Sequence, residues 1–250
     1  MRIGLIGAGN MARALARGWE QPVICADPVG ERAQALAAEV GGEAVPSNLE
    51  VAERADLLVL CHKPAQLQAV AAELAPHARA VASILAATPL AALKEAYPQQ
   101  PVYRFIPSLP VEVRQGAVVQ AAGPEQDPPT DRAVAELFAQ LGTLVVLEDR
   151  LVDVAMGLMS CAPAYVALVA EAQIDAGVRR GIPAGQGAEL VVQTLAGTAE
   201  LLRRRGNDTV AIRREVTSPG GITARGLDAL ERGGIRTAFS DALDAVLEQR

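Results

Sequence analysis

Aromatic residues are scarce in this chain: Phe, Tyr and Trp make up 3% of its 250 residues. Long polar low-complexity runs are missing too, and half the residues are apolar with alanine dominant. That composition excludes a disordered chain and leaves room for a large core in one or two domains. A basic excess is also absent, since the formal net charge is −6. A nucleic-acid surface needs clustered Lys and Arg to neutralise phosphates, so no nucleic-acid partner is expected. Arg203-Arg204-Arg205 and Arg213-Arg214 are local exceptions and read as solvated helix-end charges. Cysteine occurs three times, at Cys25, Cys61 and Cys161, far apart and with no C-x-x-C pair. This excludes a disulfide framework and a zinc site, and no metal is expected. No uninterrupted apolar run of about 18 residues is seen, so no membrane-spanning helix is expected. The N-terminus runs straight into a strand without a signal-peptide pattern. The expectation is a soluble, cytoplasmic protein.

What is there begins at once. The apolar run Ile3-Gly4-Leu5-Ile6 is followed by Gly7-Ala8-Gly9-Asn10-Met11-Ala12 and then a helical period to about Trp19. This is the strand, tight turn and helix start of a dinucleotide-binding unit. Gly7 allows the turn, Gly9 lets the backbone approach a pyrophosphate, and Ala12 lets helix and strand pack closely. The helix-start N–H groups of Asn10 and Met11 would face the phosphates. An ordinary strand–helix turn also uses glycines. Here, however, Val23-Ile24-Cys25-Ala26 leads into Asp27, about twenty residues after Gly7, where a ribose-binding acid belongs. Asp27 favours a ribose 2′-OH and hence NADH. Arg32, one helical turn further on, offsets that preference, so NADPH and NADH both stay open.

Helical patterns at 29–40, from 48, at 64–74, 88–96 and 130–141 alternate with strand-like runs. The runs lie at 43–45, 56–61, 79–85, 101–106, 116–121 and 144–147. Such alternation means a doubly wound, mostly parallel sheet. Ligands in these sheets lie beyond the carboxyl ends of the strands, which puts His62, Lys63, Ala86, Pro107 and Ser108 near the cleft. After about residue 149 no strand pattern is visible. Helices are expected at 151–159, 163–180, 184–205, 208–215, 222–232 and 234–249. The fold class is therefore α/β, with a Rossmann domain at 1–149 and an all-helical domain at 150–250. Helices 163–180 and 184–205 are apolar on wide faces, which a 100-residue bundle cannot cover alone. A homodimer through this domain is expected, against the alternative of a compact monomer.

The second informative stretch is Thr217-Ser218-Pro219-Gly220-Gly221-Ile222-Thr223-Ala224-Arg225-Gly226-Leu227. It sets bare backbone N–H groups and the Thr223 hydroxyl at a helix start, a natural carboxylate site. A plain helix cap by Thr217 or Ser218 explains it equally well.

The Gly7 to Ala12 loop, His62-Lys63-Pro64, Pro163-Ala164-Tyr165 and the Ser218-Pro219-Gly220-Gly221 block, in this order, resemble pyrroline-5-carboxylate reductases. The resemblance implies reduction of the cyclic imine 1-pyrroline-5-carboxylate to L-proline, a step of proline biosynthesis, with NADPH or NADH. It implies a Rossmann domain followed by an all-α dimerisation domain, a homodimer, and in some members a ring of dimers. It implies that Ser218, Gly220, Gly221 and Thr223 hold the substrate, with Thr223 and Ser218 in the catalytic role. Lys63 and Pro64 would line the nicotinamide side, with Ser108 beside the cofactor. Three places depart from the pattern. Ile106-Pro107-Ser108 stands where members carry Met-Pro-Asn, and Met159-Ser160-Cys161-Ala162 where they carry Ser-Gly-Ser-Gly. The acidic residue that members often carry after the second long helix has no clear counterpart at Arg205-Gly206-Asn207-Asp208. Two other readings therefore stay open: a reductase of a different cyclic imine or imino acid, and a non-catalytic dinucleotide-binding paralogue. A β-hydroxyacid dehydrogenase, which relies on a lysine in its helical half, is disfavoured because the only lysines are Lys63 and Lys94. Tyr165 and His62 are further candidate proton donors.

Overall fold

The computed structural model describes residues 1–248. The apolar runs form eight strands among the described residues. They are β1 (Ile3–Ile6), β2 (Val23–Ala26), β3 (Glu43–Ala44), β4 (Leu57–Leu60), β5 (Val81–Ser83), β6 (Val102–Pro107), β7 (Gly116–Ala121) and β8 (Gly142–Leu147). One sheet contains them in the order β3-β2-β1-β4-β5-β6-β7-β8. β1 pairs in parallel with β2 on one side and β4 on the other, so the winding reverses beside β1. All four residues of β1 and of β4 are buried, as central parallel strands require. Among the described residues only β6 and β7 pair antiparallel. Their link is a short 3-10 turn, Leu109–Val113, whereas a parallel return needs a dozen residues or more.

Helices α1 (Asn10–Trp19), α2 (Gly30–Val40), α3 (Asn48–Arg54), α4 (Leu67–Leu74), α5 (Leu90–Ala96) and α6 (Pro128–Ala139) connect the strands. Alternate strand residues feed two cores, one on each face of the sheet. Leu57 and Val59 join Leu15, Trp19 and Phe138 on one face, while Leu58 and Leu60 join Leu74, Val81 and Tyr97 on the other. The few aromatics are concentrated. Phe105 stacks on Phe138 at 3.8 Å, and Trp19 meets the same ring edge-on at 5.5 Å.

Helix α7 (Asp149–Met159) packs on β7 and β6, with Val152 and Ala155 in the second core. The sequence changes character at residue 149, yet by packing the first compact unit runs Met1–Pro163, because α7 stays with the sheet. The second unit, from Ala164, is all-helical. Its helices are α8 (Ala162–Val178), which starts just before the divide, α9 (Ala184–Arg204), α10 (Thr209–Glu215), α11 (Ile222–Arg232) and α12 (Ile235–Glu248). Position 249 of the expected last helix, and the final two residues of the expected 150–250 domain, lie outside the described residues. No residue of α8, α11 or α12 is buried within the chain, and in α9 only Gly187 is. By length and composition the stretch Asp149–Val178, which contains 18 residues of mean hydropathy 1.7, is apolar enough to cross a membrane. The sequence reading expects no such stretch. It arises where α7 joins the apolar α8 across Ser160 and Cys161, and α7 itself is packed on the sheet.

Candidate active site

A cavity of about 600 Å³ opens at the carboxyl ends of the parallel strands. β1 supplies Ile6 and Gly7, β2 leads to Asp27, β4 to Cys61, His62 and Lys63, β5 to Ile84, and β6 ends at Ile106 and Pro107. It lies where the strand order reverses, the position at which open α/β sheets bind ligands.

Gly7 adopts φ +104°, and a Cβ there would stand 3.1 Å from the Cys61 carbonyl oxygen. Its N–H donates to the Ala26 carbonyl at 2.8 Å, which locks the loop between β2 and β4. Gly9 is the N-cap of α1 and offers no side chain to cap it. A Cβ at Gly9 would meet no protein atom within 4 Å, so it would project into open space over the loop. The first-turn N–H groups of α1 have no intrahelical partners and aim at that space. Bare donors, the positive end of a helix dipole and room for a bulky anion fit a pyrophosphate.

Asp27 accepts the Ala8 N–H at 2.9 Å through Oδ2 and the Val29 N–H at 2.8 Å through Oδ1. Arg32 and Asn48 line the same end of the cavity. His62 donates from Nδ1 to the Lys63 carbonyl, 2.9 Å away, and its buried Nε2 has no partner among the described residues. Burial lowers the His62 pKa below that of a free imidazole, so the ring is neutral near pH 7, with Nδ1 as the donor to the carbonyl. Burial pushes the Cys61 thiol strongly up and that of Cys25 to about 11, so neither is a nucleophile.

Of the residues expected at the cofactor, Gly7, Gly9, Met11, Asp27, Lys63 and Pro64 line the cavity. Asn10 and Ser108 are not in the lining. Asn10 is exposed on the first turn of α1. Ser108 is buried and turned away, its Oγ accepting the Ala117 N–H at 2.9 Å at the start of the antiparallel return. Met156 and Ser160 of the α7 stretch also line the cavity, with the Ser160 hydroxyl donating to the Pro107 carbonyl at 3.1 Å. The sequence singles out Ser160 only as part of the departing stretch Met159-Ser160-Cys161-Ala162, and gives Met156 no role. Met156 falls four residues after the buried Val152, a helical period that could have found it.

In the second unit the 218–223 turn forms the start of α11. Gly221 is its N-cap, and no side chain caps it. Thr217 is not the cap, because its hydroxyl donates back to the Arg213 carbonyl at 2.5 Å. A Cβ at Gly221 would lie 2.4 Å from Ser218 Oγ, so the hydroxyl sits where only glycine leaves space. The Gly221 N–H is already given to the Ser218 carbonyl at 3.0 Å. Gly220, at φ +69°, and the first-turn N–H groups of Ile222 and Thr223 remain as donors.

Residues 149–250 match the family described as pyrroline-5-carboxylate reductase dimerisation, and residues 2–87 match NADP oxidoreductase coenzyme F420-dependent. A pyrroline-5-carboxylate reductase of Synechocystis sp. is 33% identical over 98% of this chain and 95% of its own length. The chain belongs to the pyrroline-5-carboxylate reductase family. The enzyme of that name from Thermus thermophilus is 34% identical over the same shares. Among solved structures, pyrroline carboxylate reductase from Plasmodium falciparum with NADP bound superposes with a TM-score of 0.89 at 25% identity. It covers 100% of this chain and 96% of that one. A prephenate dehydrogenase from A. aeolicus, at 16% identity, covers 99% of this chain and 96% of its own with a TM-score of 0.56, and shares the fold alone. As a member of the reductase family the chain is an NAD(P)-dependent oxidoreductase by kinship, and its helical half is a dimerisation region.

Proposed function

We propose that this chain reduces 1-pyrroline-5-carboxylate to L-proline with a nicotinamide dinucleotide, in proline biosynthesis. The observation that carries the reading is the uncapped N-terminus of α1 over Gly7 and Gly9, opening into a cavity at the reversal of the sheet. Full-length kinship to enzymes named for this reaction, and the NADP in the Plasmodium structure, support it. The functional division is a dinucleotide domain at 1–149 and a helical substrate and dimerisation domain at 150–250.

Within the first unit Gly7, Gly9, Asn10 and Met11 form the pyrophosphate loop. Asp27 takes the adenine ribose, and Lys63, Pro64 and Ser108 frame the nicotinamide end, Ser108 by holding the β6–β7 corner. A reduced nicotinamide bound there supplies the hydride. Within the second unit the turn at 218–223 takes the substrate carboxylate. Gly220 and the first-turn N–H groups are the donors, and Gly221 keeps space for Ser218. Thr223 Oγ accepts from the protonated ring nitrogen. An iminium is already electrophilic, so positioning supplies most of the acceleration, up to about 7–11 kcal/mol.

The active form is a homodimer through the helical domain, assembling further into a ring of dimers, and its place is the cytoplasm. The apolar faces of α8 and α9, of which only Gly187 is buried among the described residues, support a partner copy rather than a membrane.

The test is NADH and NADPH oxidation followed with five- and six-membered cyclic imino acids. Turnover of the five-membered substrate is expected. The departure from the family pattern at Met159-Ser160-Cys161-Ala162, whose Ser160 lines the cavity, favours as the second reading a different cyclic imino acid. Dinucleotide binding with no turnover of either ring would leave only a non-catalytic paralogue.

A further inference from the structure

Resting on the dinucleotide reading, we infer that this cavity selects NADH over NADPH, with Asp27 as the selecting residue and Arg32 as its weaker counterweight. Asp27 is half-buried at the carboxyl end of β2. Each carboxylate oxygen already holds one backbone N–H, from Ala8 at 2.9 Å and Val29 at 2.8 Å. The carboxylate is thereby fixed between the glycine loop and the start of α2, while it still lines the cavity. A carboxylate has about four lone-pair positions, so two bonds leave acceptor capacity on both oxygens. A ribose with a free 2′-OH donates to that capacity. A 2′-phosphate donates nothing and sets its own negative charge against a negative charge that cannot move away.

Arg32 is the opposing group. It lies on the first turn of α2 and lines the cavity, and among the described residues its side chain has no hydrogen bond or ion pair. It is therefore available to a phosphate. It is also exposed, so its charge is screened by solvent and its long side chain must be ordered to act. The fixed, half-buried charge outweighs the free, exposed one. The result is NADH preference with residual NADPH binding. The NADP of the Plasmodium relative belongs to a chain 25% identical to this one. The selectivity inferred here comes from the placement of Asp27 and Arg32.

The experiment is a binding titration without imine, following nicotinamide fluorescence for NADH and NADPH. Calorimetry with ADP-ribose and 2′-phospho-ADP-ribose repeats it without the nicotinamide. The wild-type chain is expected to bind NADH at least tenfold more tightly. Arg32→Ala, at an exposed side chain, is expected to weaken NADPH at least threefold and leave NADH within twofold. Asp27→Asn is expected to bring the two affinities within threefold. An asparagine offers one acceptor where two backbone donors converge, so this variant is compared at an unchanged unfolding midpoint. NADPH bound as tightly as NADH by the wild type overturns the inference alone. Binding of neither overturns the dinucleotide reading and the inference together.

Discussion

The buried guanidinium of Arg104 lies 2.7 Å from the carboxylate of Asp149, 45 residues further along the chain. The Arg104 side chain is 1% exposed and pairs with Asp153 as well. The second oxygen of Asp149 accepts the Leu90 N–H at 3.0 Å, so one cation ties β6, α7 and the start of α5 together. This keeps α7 on the sheet and Met156 and Ser160 in the cavity wall.

Removing a buried charge from its partners costs more than the pair contributes, typically about 3–5 kcal/mol. Arg104→Met keeps an unbranched apolar stem and removes the charge. It is expected to lower the unfolding free energy by about that amount. Urea unfolding should show a lower midpoint with an unchanged slope. An unchanged midpoint would mean that the pair holds nothing in place.

Gly7 and Gly9 separate folding from binding. Gly9 has φ −74° and an unobstructed Cβ position, and threonine caps a helix about as well as glycine, so Gly9→Thr is expected to leave the unfolding midpoint within a degree or so of wild type. Its side chain fills the space over the loop, and dinucleotide affinity is expected to fall by roughly a hundredfold, the order of a lost anion site. Gly7→Ala is the converse. A left-handed φ costs an L-residue about 1–2 kcal/mol, and its Cβ presses on the Cys61 carbonyl. Equal stability of the two variants would break the assignment.

Much of this was legible in the chain because it is periodic or carried by backbone. The strands read as apolar runs and the glycine loop as a turn, since neither depends on a distant partner. Arg104 was not legible. In Val102-Tyr103-Arg104-Phe105-Ile106 it is one charge inside a strand pattern, and only the folded position of α7 supplies its carboxylates. Ser108 follows the same logic. Its place just past β6 puts it near the cleft, but the antiparallel return of β7 draws its hydroxyl to Ala117. The 217–223 turn allowed a capped or an uncapped helix with equal reason, and the choice was made by Thr217 bonding backwards to Arg213.

His62 should give the fold a pH dependence of known sign. Its folded pKa lies below the free value, so between the two the unfolded chain binds more protons. Stability then rises with pH, is full above about 6.5, and is lost as pH falls from there through the folded pKa. The Glu39 and Glu43 carboxyls, held below their usual range by Arg17 and Arg54, act only in more acidic solution. The expected outcome is a wild-type melting temperature that drops from pH 7.5 to 5.5 more than that of His62→Gln. Parallel curves would remove His62 as the cause.

Thr223→Ala tests the second unit. A hydrogen bond to a charged group contributes about 1.5–3 kcal/mol, so its loss at the iminium should cut turnover roughly ten- to hundredfold. Dinucleotide affinity should not change, because the pyrophosphate loop lies on the other unit. Unchanged turnover of pyrroline-5-carboxylate would remove Thr223 from the reaction.

The helical unit leaves unburied what a monomer should cover. Leu168 of α8 is 64% exposed, Leu190 of α9 62% and Ile222 of α11 79%. Isolated exposed apolar residues are ordinary, but three long helices with almost nothing buried are not. The region carrying them matches a dimerisation family. Each copy presents the same surface, so a two-fold contact buries both sets at once. Light scattering on the purified chain is therefore expected to give twice the 26.0 kDa chain mass or a multiple of it. The melting temperature should rise with protein concentration, as it does when folding and association are linked. Leu168→Glu with Leu190→Glu places charges in that contact and should yield monomer or unfolded chain. A double variant that keeps the wild-type mass would show that the dimer forms through some other face.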